Sequence, residues 1–193
     1  MNLRHTMTSE SKRPRASHRA GDSAAPVPAS RRTEPQRPRV RVRRVQPSDF
    51  TGLWRWRNHP DVRRWFFDSE RIPLKEHLEW CHRTIHAKKT LWLVGLDSRS
   101  KMIGQIRFET PSQGTSRVSV NLNPSCFGKG LGSQLITAGT RRFFEEFPRV
   151  KKVEAEVIAG NIASAKAFQN SSYRFARRTI RHGKEVILYV HGR

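Results

Sequence analysis

The stretch Val118-Ser119-Val120-Asn121-Leu122-Asn123-Pro124-Ser125-Cys126-Phe127-Gly128-Lys129-Gly130-Leu131-Gly132 decides how this 193-residue chain folds. Val118, Val120 and Leu122 alternate with polar residues, the period of a half-buried strand. Three glycines then alternate with Lys129 and Leu131, and a helical pattern of about Leu131–Phe147 follows, ended by Pro148. The order is strand, glycine loop, helix. Glycine admits positive φ and has no Cβ, so backbone here can approach a ligand closely. The first amides of the helix have no partner within it, and the helix dipole adds positive potential at the same place. Such a nest suits a phosphate or pyrophosphate. Lys129 either adds a cation or is simply solvated.

Two familiar phosphate loops are excluded by spacing. A P-loop needs Gly-Lys followed by Ser or Thr, and here Lys129 precedes Gly130. A dinucleotide fingerprint needs G-x-G-x-x-G near the start of a βαβ unit, and here G-x-G-x-G follows a meander.

Upstream, Val40 and Val42 suggest a first strand over Arg39–Val45 with an arginine-bearing outer face. Pro47-Ser48-Asp49 starts a helix carrying Phe50, Leu53, Trp54 and Arg57, which Asn58-His59-Pro60 breaks. A short turn begins at Asp61, and Pro73 opens a third helix with Leu74, Leu78, Cys81 and Ile85 on one face. Period two then takes over. Strands are expected at Thr90–Leu96, Lys101–Glu109 and Arg117–Leu122, with turns at Asp97–Ser100 and Pro111–Gly114. Downstream come a strand at Val153–Ile158, a helix at about Ile162–Asn170, and a hairpin of Tyr173–Ile180 and Glu185–Val190 around Gly183. The sum is an α+β domain on one mixed sheet.

Formal net charge is +22, from 38 Lys and Arg against 16 Asp and Glu. Residues 1–38 hold few large apolar side chains and cannot bury enough surface to offset ordering, so a disordered basic tail is expected there, with the folded domain at 39–193. The tail suits an RNA, ribosome or membrane-surface contact, a transit peptide, or a solvated extension, the last being the favoured reading. No apolar run of about 18 residues argues for a membrane span, and a cytoplasmic monomer or homodimer is expected. Cys81 and Cys126 lack metal spacing and form no disulfide framework. Cys126 beside the loop is weighed as a thiol nucleophile, but a small buried filler fits better.

Val118–Pro124 followed by Phe127-Gly128-Lys129-Gly130-Leu131-Gly132 resembles motif A of the GNAT acetyltransferases, in which backbone amides hold the CoA pyrophosphate. Val153–Val157 followed by Asn161-x-x-Ser164-x-x-x-Phe168 resembles motif B, which contacts the pantetheine arm. The resemblance implies the GNAT acyl-CoA N-acyltransferase fold, a mixed antiparallel and parallel sheet flanked by helices. It implies acetyl-CoA as co-substrate and no metal. It places Leu122, Asn123, Phe127, Gly128, Lys129, Gly130, Leu131, Gly132, Ser133, Asn161, Ser164 and Phe168 at the cofactor. Two positions depart from the family. Phe127 stands where Gln or Arg is usual, and Phe168 stands where many members carry a tyrosine that protonates the leaving thiolate. Ser164, Tyr173 or a water then substitutes, or the thiolate leaves unassisted.

Trp56–Arg63, Ser69–Trp80 and Ile103–Glu109 look like the branch that acetylates amino groups of nucleotide-linked amino sugars, the pseudaminic-acid pathway enzymes, and more loosely like ribosomal-protein N-acetyltransferases. Trp54, Trp56, Trp65, Phe66 and Phe67 offer faces for stacking, and Arg55, Arg57, Arg63 and Arg64 offer charge to a diphosphate. Trp56, Arg57, Asn58 and Arg63 are the candidate acceptor-binding residues. Transfer to an amine needs a base and an oxyanion site but no enzyme nucleophile. Glu156 is the first candidate base, with Glu154 on the same face and Glu109 as competitors. The amine acceptor is then a nucleotide-linked sugar, with a protein N-terminus or polyamine as the second reading and a catalytically weak RNA- or ribosome-binding module as the third.

Overall fold

The computed structural model describes residues 40–112 and 114–193. The expected tail at 1–38 lies outside the described residues. Strand β1 (Arg41–Arg44) leads through a turn at Pro47–Asp49 into helix α1 (Phe50–Asn58). Pro60 starts the short α2 (Pro60–Arg63), since a proline at the first helical position gives up an amide that had no partner. Helix α3 (Leu74–Ile85) follows, then the meander β2 (Thr90–Leu96), β3 (Met102–Ser112) and β4 (Thr115–Leu122). After the glycine loop come α4 (Leu131–Glu146), β5 (Lys152–Ile158), α5 (Ile162–Gln169), β6 (Arg174–Arg181) and β7 (Lys184–Gly192).

The seven strands form one sheet in the order β1-β2-β3-β4-β5-β7-β6. Every neighbouring pair is antiparallel except β4 and β5. Two antiparallel blocks therefore meet at one parallel seam.

Alternation sends one set of strand side chains toward α4, and in β2 it sends the other set into a second, smaller core. Leu91, Leu93, Ile106, Phe108, Val118, Val153, Ala155 and Val157 face α4 and pack on Leu135, Ile136 and Phe143. Phe108 and Phe143 stack with centroids 4.5 Å apart. Helix α4 approaches β3 so closely that a Cβ on Gly139 would lie 2.8 Å from Ile106 Cγ2. On the opposite face Trp92 and Val94 pack on Phe50, Leu53 and Cys81 beneath α1 and α3. Strand β2 is thus buried on both sides, which explains its unbroken apolar run Leu91–Val94.

The expected turn at Pro111–Gly114 is shorter than the sequence suggests. Strand β3 continues through Pro111 to Ser112, and its register to β4 shifts between Glu109 and Ser112. Proline lacks the N–H that a continuous ladder needs, and a shifted register is where a strand tolerates it. Among the described residues no helix is long and apolar enough to cross a membrane, and no three His, Cys, Asp or Glu are grouped to hold a metal ion.

Candidate active site

The seam between β4 and β5 is short. Pairing runs only from Thr115↔Lys152 to Val118↔Ala155. Beyond it β4 stays with β3 as far as Leu122↔Gly104, and β5 stays with β7 as far as Ile158↔Val186. The two strands part, and a wedge opens at their C-terminal ends. The Asn123 amide donates to Ile103 O at 2.8 Å, toward β3. Backbone groups alternate in direction along a strand, so Val120 and Leu122 aim their amides into the wedge.

The glycine loop lies where the wedge opens. Asn123 builds its entry, with its side chain accepting from Ser125 N (3.1 Å) and its carbonyl accepting from Cys126 N (2.8 Å). Gly128 and Gly130 take φ of 73° and 68°, a region costly for other residues. A Cβ at either would meet nothing within 4 Å, so the loop presents bare backbone to open space. Leu131, Gly132 and Ser133 are the first residues of α4, and their amides have no partner inside the helix. Lys129 is held on the loop, its Nζ donating to Ser125 O at 2.7 Å. Ser133 Oγ donates to Gly130 O at 3.0 Å. Phe127 is exposed beside the loop, whereas Cys126 is buried in the core.

Helix α5 forms the other bank. Asn161 caps it by accepting from Ser164 N at 3.1 Å. Gly132 brings the elements together, since a Cβ there would sit 3.5 Å from Ala167 Cβ and 3.6 Å from Leu122 Cδ1. Phe168 points into the core, edge-on to Tyr173 with centroids 5.0 Å apart. Tyr173 is 2% exposed and its hydroxyl bonds Thr140 Oγ1 at 2.8 Å. Burial pushes its pKa up, and the bond to Thr140 offsets only part of that. Tyr173 is thus committed to the core, unlike the expected candidate Ser164, which lies on α5 beside the Asn161 cap.

The opposite face of the wedge carries the polar groups. Glu154 and Glu156 alternate with buried Val153, Ala155 and Val157, so they face away from α4. Glu156 is the first residue of β5 past the last β4 rung, and it lies 3.5 Å from Arg181 Nε. Glu154 pairs with Lys152 at 2.8 Å. Glu109 faces Arg117, in the rows where β4 and β5 are still joined, and pairs with Arg107 at 3.4 Å. Of the three carboxylates, Glu156 alone adjoins the opening.

A polar relay not foreseen in the sequence crosses this face. Trp92 Nε1 donates to Gln105 Oε1, and Gln105 Nε2 donates to Asn121 Oδ1. Asn121 is 9% exposed, and its Nδ2 has no partner among the described residues. Each residue sits in an ordinary strand pattern; the register sets Gln105 opposite Asn121, and Trp92, whose own rung is with Arg107, reaches Gln105 on the diagonal. Arg107 lies 4.7 Å over the Trp80 ring beside it, and burial pulls its pKa down.

The four candidate acceptor residues lie in the helical cap over this face, largely tied to its own backbone. Asn58 exchanges two hydrogen bonds with Ile72 (2.9 and 2.8 Å), and Arg63 Nη1 donates to Ser69 O at 2.8 Å. Trp56 packs against the smaller core. Arg57 donates to Asp68 O at 2.7 Å and lies 4.0 Å over the Phe66 ring, while its buried Nη1 has no partner among the described residues. Lys184 in β7 donates to Phe66 O and Phe67 O at 3.0 and 3.1 Å, so the segment after α2 is fastened to the far block of the sheet.

A strand pair that parts beside an amide-lined glycine loop is the geometry of a transferase fold whose backbone donors suit a phosphate-bearing cofactor. The residues fit CoA, because the loop offers unpaired amides and open space where a pyrophosphate needs them. The family model for the acetyltransferase (GNAT) domain matches residues 39–173. The chain belongs to the GNAT acetyltransferase family, and it is an acetyl-CoA-dependent N-acetyltransferase. No curated protein matches it in sequence. Solved structures share the fold at low identity. The aminoglycoside acetyltransferase AAC(6')-Ib, in complex with paromomycin and acetyl-CoA, is 18% identical with a TM-score of 0.71, over 80% of this chain and 93% of that one. Spermidine N-acetyltransferase from Vibrio cholerae, with CoA and spermine, is 15% identical with a TM-score of 0.72, over 80% and 95%. A GNAT acetyltransferase from Bacillus anthracis is 17% identical with a TM-score of 0.69, over 80% and 95%.

Proposed function

We propose that the acceptor is a primary amine on an anionic, nucleotide-linked amino sugar, acetylated by direct attack in a ternary complex. The observation that carries this reading is the chemistry of the cap. It sets Trp54, Trp56, Trp65, Phe66 and Phe67 among Arg55, Arg57, Arg63 and Arg64, with Arg57 Nη1 buried and without a partner among the described residues. Aromatic faces and guanidinium groups suit a base and a diphosphate. Spermine, bound by one structural neighbour, is a polycation, and a chain of net charge +22 suits such an acceptor poorly.

Acetyl-CoA supplies the activated thioester. The amides of Gly128–Ser133 hold its pyrophosphate, Asn161 and Ser164 shape the channel for its arm, and Val120 and Leu122 offer amides where negative charge grows on the acyl oxygen. The attacking amine must shed a proton, and Glu156 takes it directly or through a water. No enzyme nucleophile is needed.

The test is an acetyl-transfer assay following CoA thiol release. Nucleotide diphosphate amino sugars, spermidine, kanamycin and a peptide with a free N-terminus are compared. The expected result is a kcat/KM for an amino-sugar nucleotide about 100-fold above the others. Preference for spermidine or the peptide would sink the reading.

A further inference from the structure

We infer that Asn121 reads the acceptor, donating a hydrogen bond from Nδ2 to an oxygen next to the attacked amine. The inference rests on the N-acetyltransferase reading and sharpens its substrate.

The relay has a direction that chemistry alone fixes. An indole N–H can only donate, so Gln105 must turn its Oε1 to Trp92. Its amide nitrogen then faces Asn121, which must accept through Oδ1. The last group in the relay is therefore Asn121 Nδ2, a donor. Trp92 is 4% exposed and wedged between Phe50 and Trp80, so the far end of the relay is immobile. An Asn at this position without the relay would be free to flip; with it, only the donor is presented.

That donor is buried and has no partner among the described residues, an arrangement that is costly in a finished core. It belongs to β4 where that strand has left β5, on the face shared with Glu156 and covered by the cap. A donor here cannot serve an ammonium group, because both partners would be donors. Nor can it usefully bind the attacking nitrogen, whose lone pair is needed for the acyl carbon. An oxygen on a carbon close to the amine satisfies it, and turns the amine toward the wedge. A hydroxyl-bearing amino sugar has such an oxygen; a polyamine does not. Arg57 Nη1 in the cap, also buried without a partner among the described residues, calls for oxygen as well.

The experiment compares primary amines with and without a hydroxyl on the carbon beside the amino-bearing carbon, in the wild type, Asn121→Leu and Gln105→Glu. Acetyl-CoA binding is followed in parallel by thermal shift. The wild type is expected to prefer the hydroxylated amines. Asn121→Leu should lose about 10- to 100-fold in kcat/KM on them and little on the hydroxyl-free amines, with acetyl-CoA binding unchanged. Gln105→Glu leaves Asn121 in place but can no longer donate to it; Asn121 then turns its nitrogen inward, presents Oδ1, and the preference shrinks in the same way. Equal losses on both amine classes, or no loss on either because a trapped water satisfies the amide, would overturn the inference. A wild type that binds no acetyl-CoA and acetylates none of the amines would instead overturn the reading beneath it.

Discussion

Val118 and Ala155 form the last rung between β4 and β5, and every group assigned to the reaction lies on the side where that rung opens. Glu156 is the next residue after it on β5. Replacing Glu156 by Gln should lower kcat by about 100-fold or more, the ordinary worth of a positioned base. Folding should be little changed, because its partner Arg181 is largely exposed and such pairs contribute under about 1 kcal/mol. Glu109→Gln, from the closed rows, should stay within about threefold of wild type. The same thiol-release assay measures both, and a larger loss at Glu109 would reverse the assignment.

The glycine loop makes a paired prediction. Gly130 has φ of 68° and faces open space, so Gly130→Val strains the backbone by about 1–2 kcal/mol and fills the space beside the amides. Acetyl-CoA should then raise the unfolding temperature far less than it does in the wild type. Gly132 takes an ordinary φ, and a methyl there meets Ala167 and Leu122 at normal contact distance. Gly132→Ala should keep both stability and most of the ligand-induced shift.

Tyr173 and Phe168 can be separated by stability and rate. Tyr173→Phe leaves the buried Thr140 hydroxyl without its partner and should cost about 1–2 kcal/mol in urea unfolding, with kcat unchanged. A fall in kcat at constant stability would make Tyr173 the proton donor after all. Phe168→Tyr adds a hydroxyl to a ring that is 3% exposed, so kcat should not rise and stability should fall.

Asp49 ties α1 to β1 through two hydrogen bonds from Arg43, at 2.6 and 2.9 Å, and one from Gln46 N. Burial pushes its carboxyl up, but Arg43 and Gln46 pull it further down, and its pKa ends below the ordinary carboxylate value. A folded pKa below the unfolded one means stability present above about pH 4 and lost as pH falls through the folded value. Asp49→Asn should cost about 1–3 kcal/mol at pH 7, toward the low end because Arg43 is a third exposed. It should also flatten the acid limb of stability against pH in urea titrations. An unchanged acid limb would place the titrating group elsewhere.

Much of this was legible in the sequence because local rules governed it. Val118–Gly132 has strand period, positive-φ glycines and a helix start within fifteen residues, and the loop formed as that pattern requires. Helix ends at Asn58, Pro73 and Pro148 were equally local. Pro111 was misleading, because a bulge accommodated it. The cap arginines also looked freer than they are: Arg63 spends a guanidinium nitrogen on Ser69 O, a partner that sequence spacing does not reveal. Trp92, Gln105 and Asn121 were invisible for a deeper reason. They lie on three strands, and only the register of the meander sets Asn121 opposite Gln105 and Trp92 on the diagonal from it.

The sheet behaves like an open book. Its spine is the four rungs from Thr115 to Val118, and its two leaves are otherwise internally bonded. The contact of Lys184 with Phe66 and Phe67 is a clasp across the fore-edge. Whatever enters between the pages bears on both leaves at once, so a ligand in the wedge adds the cross-links that the short spine lacks.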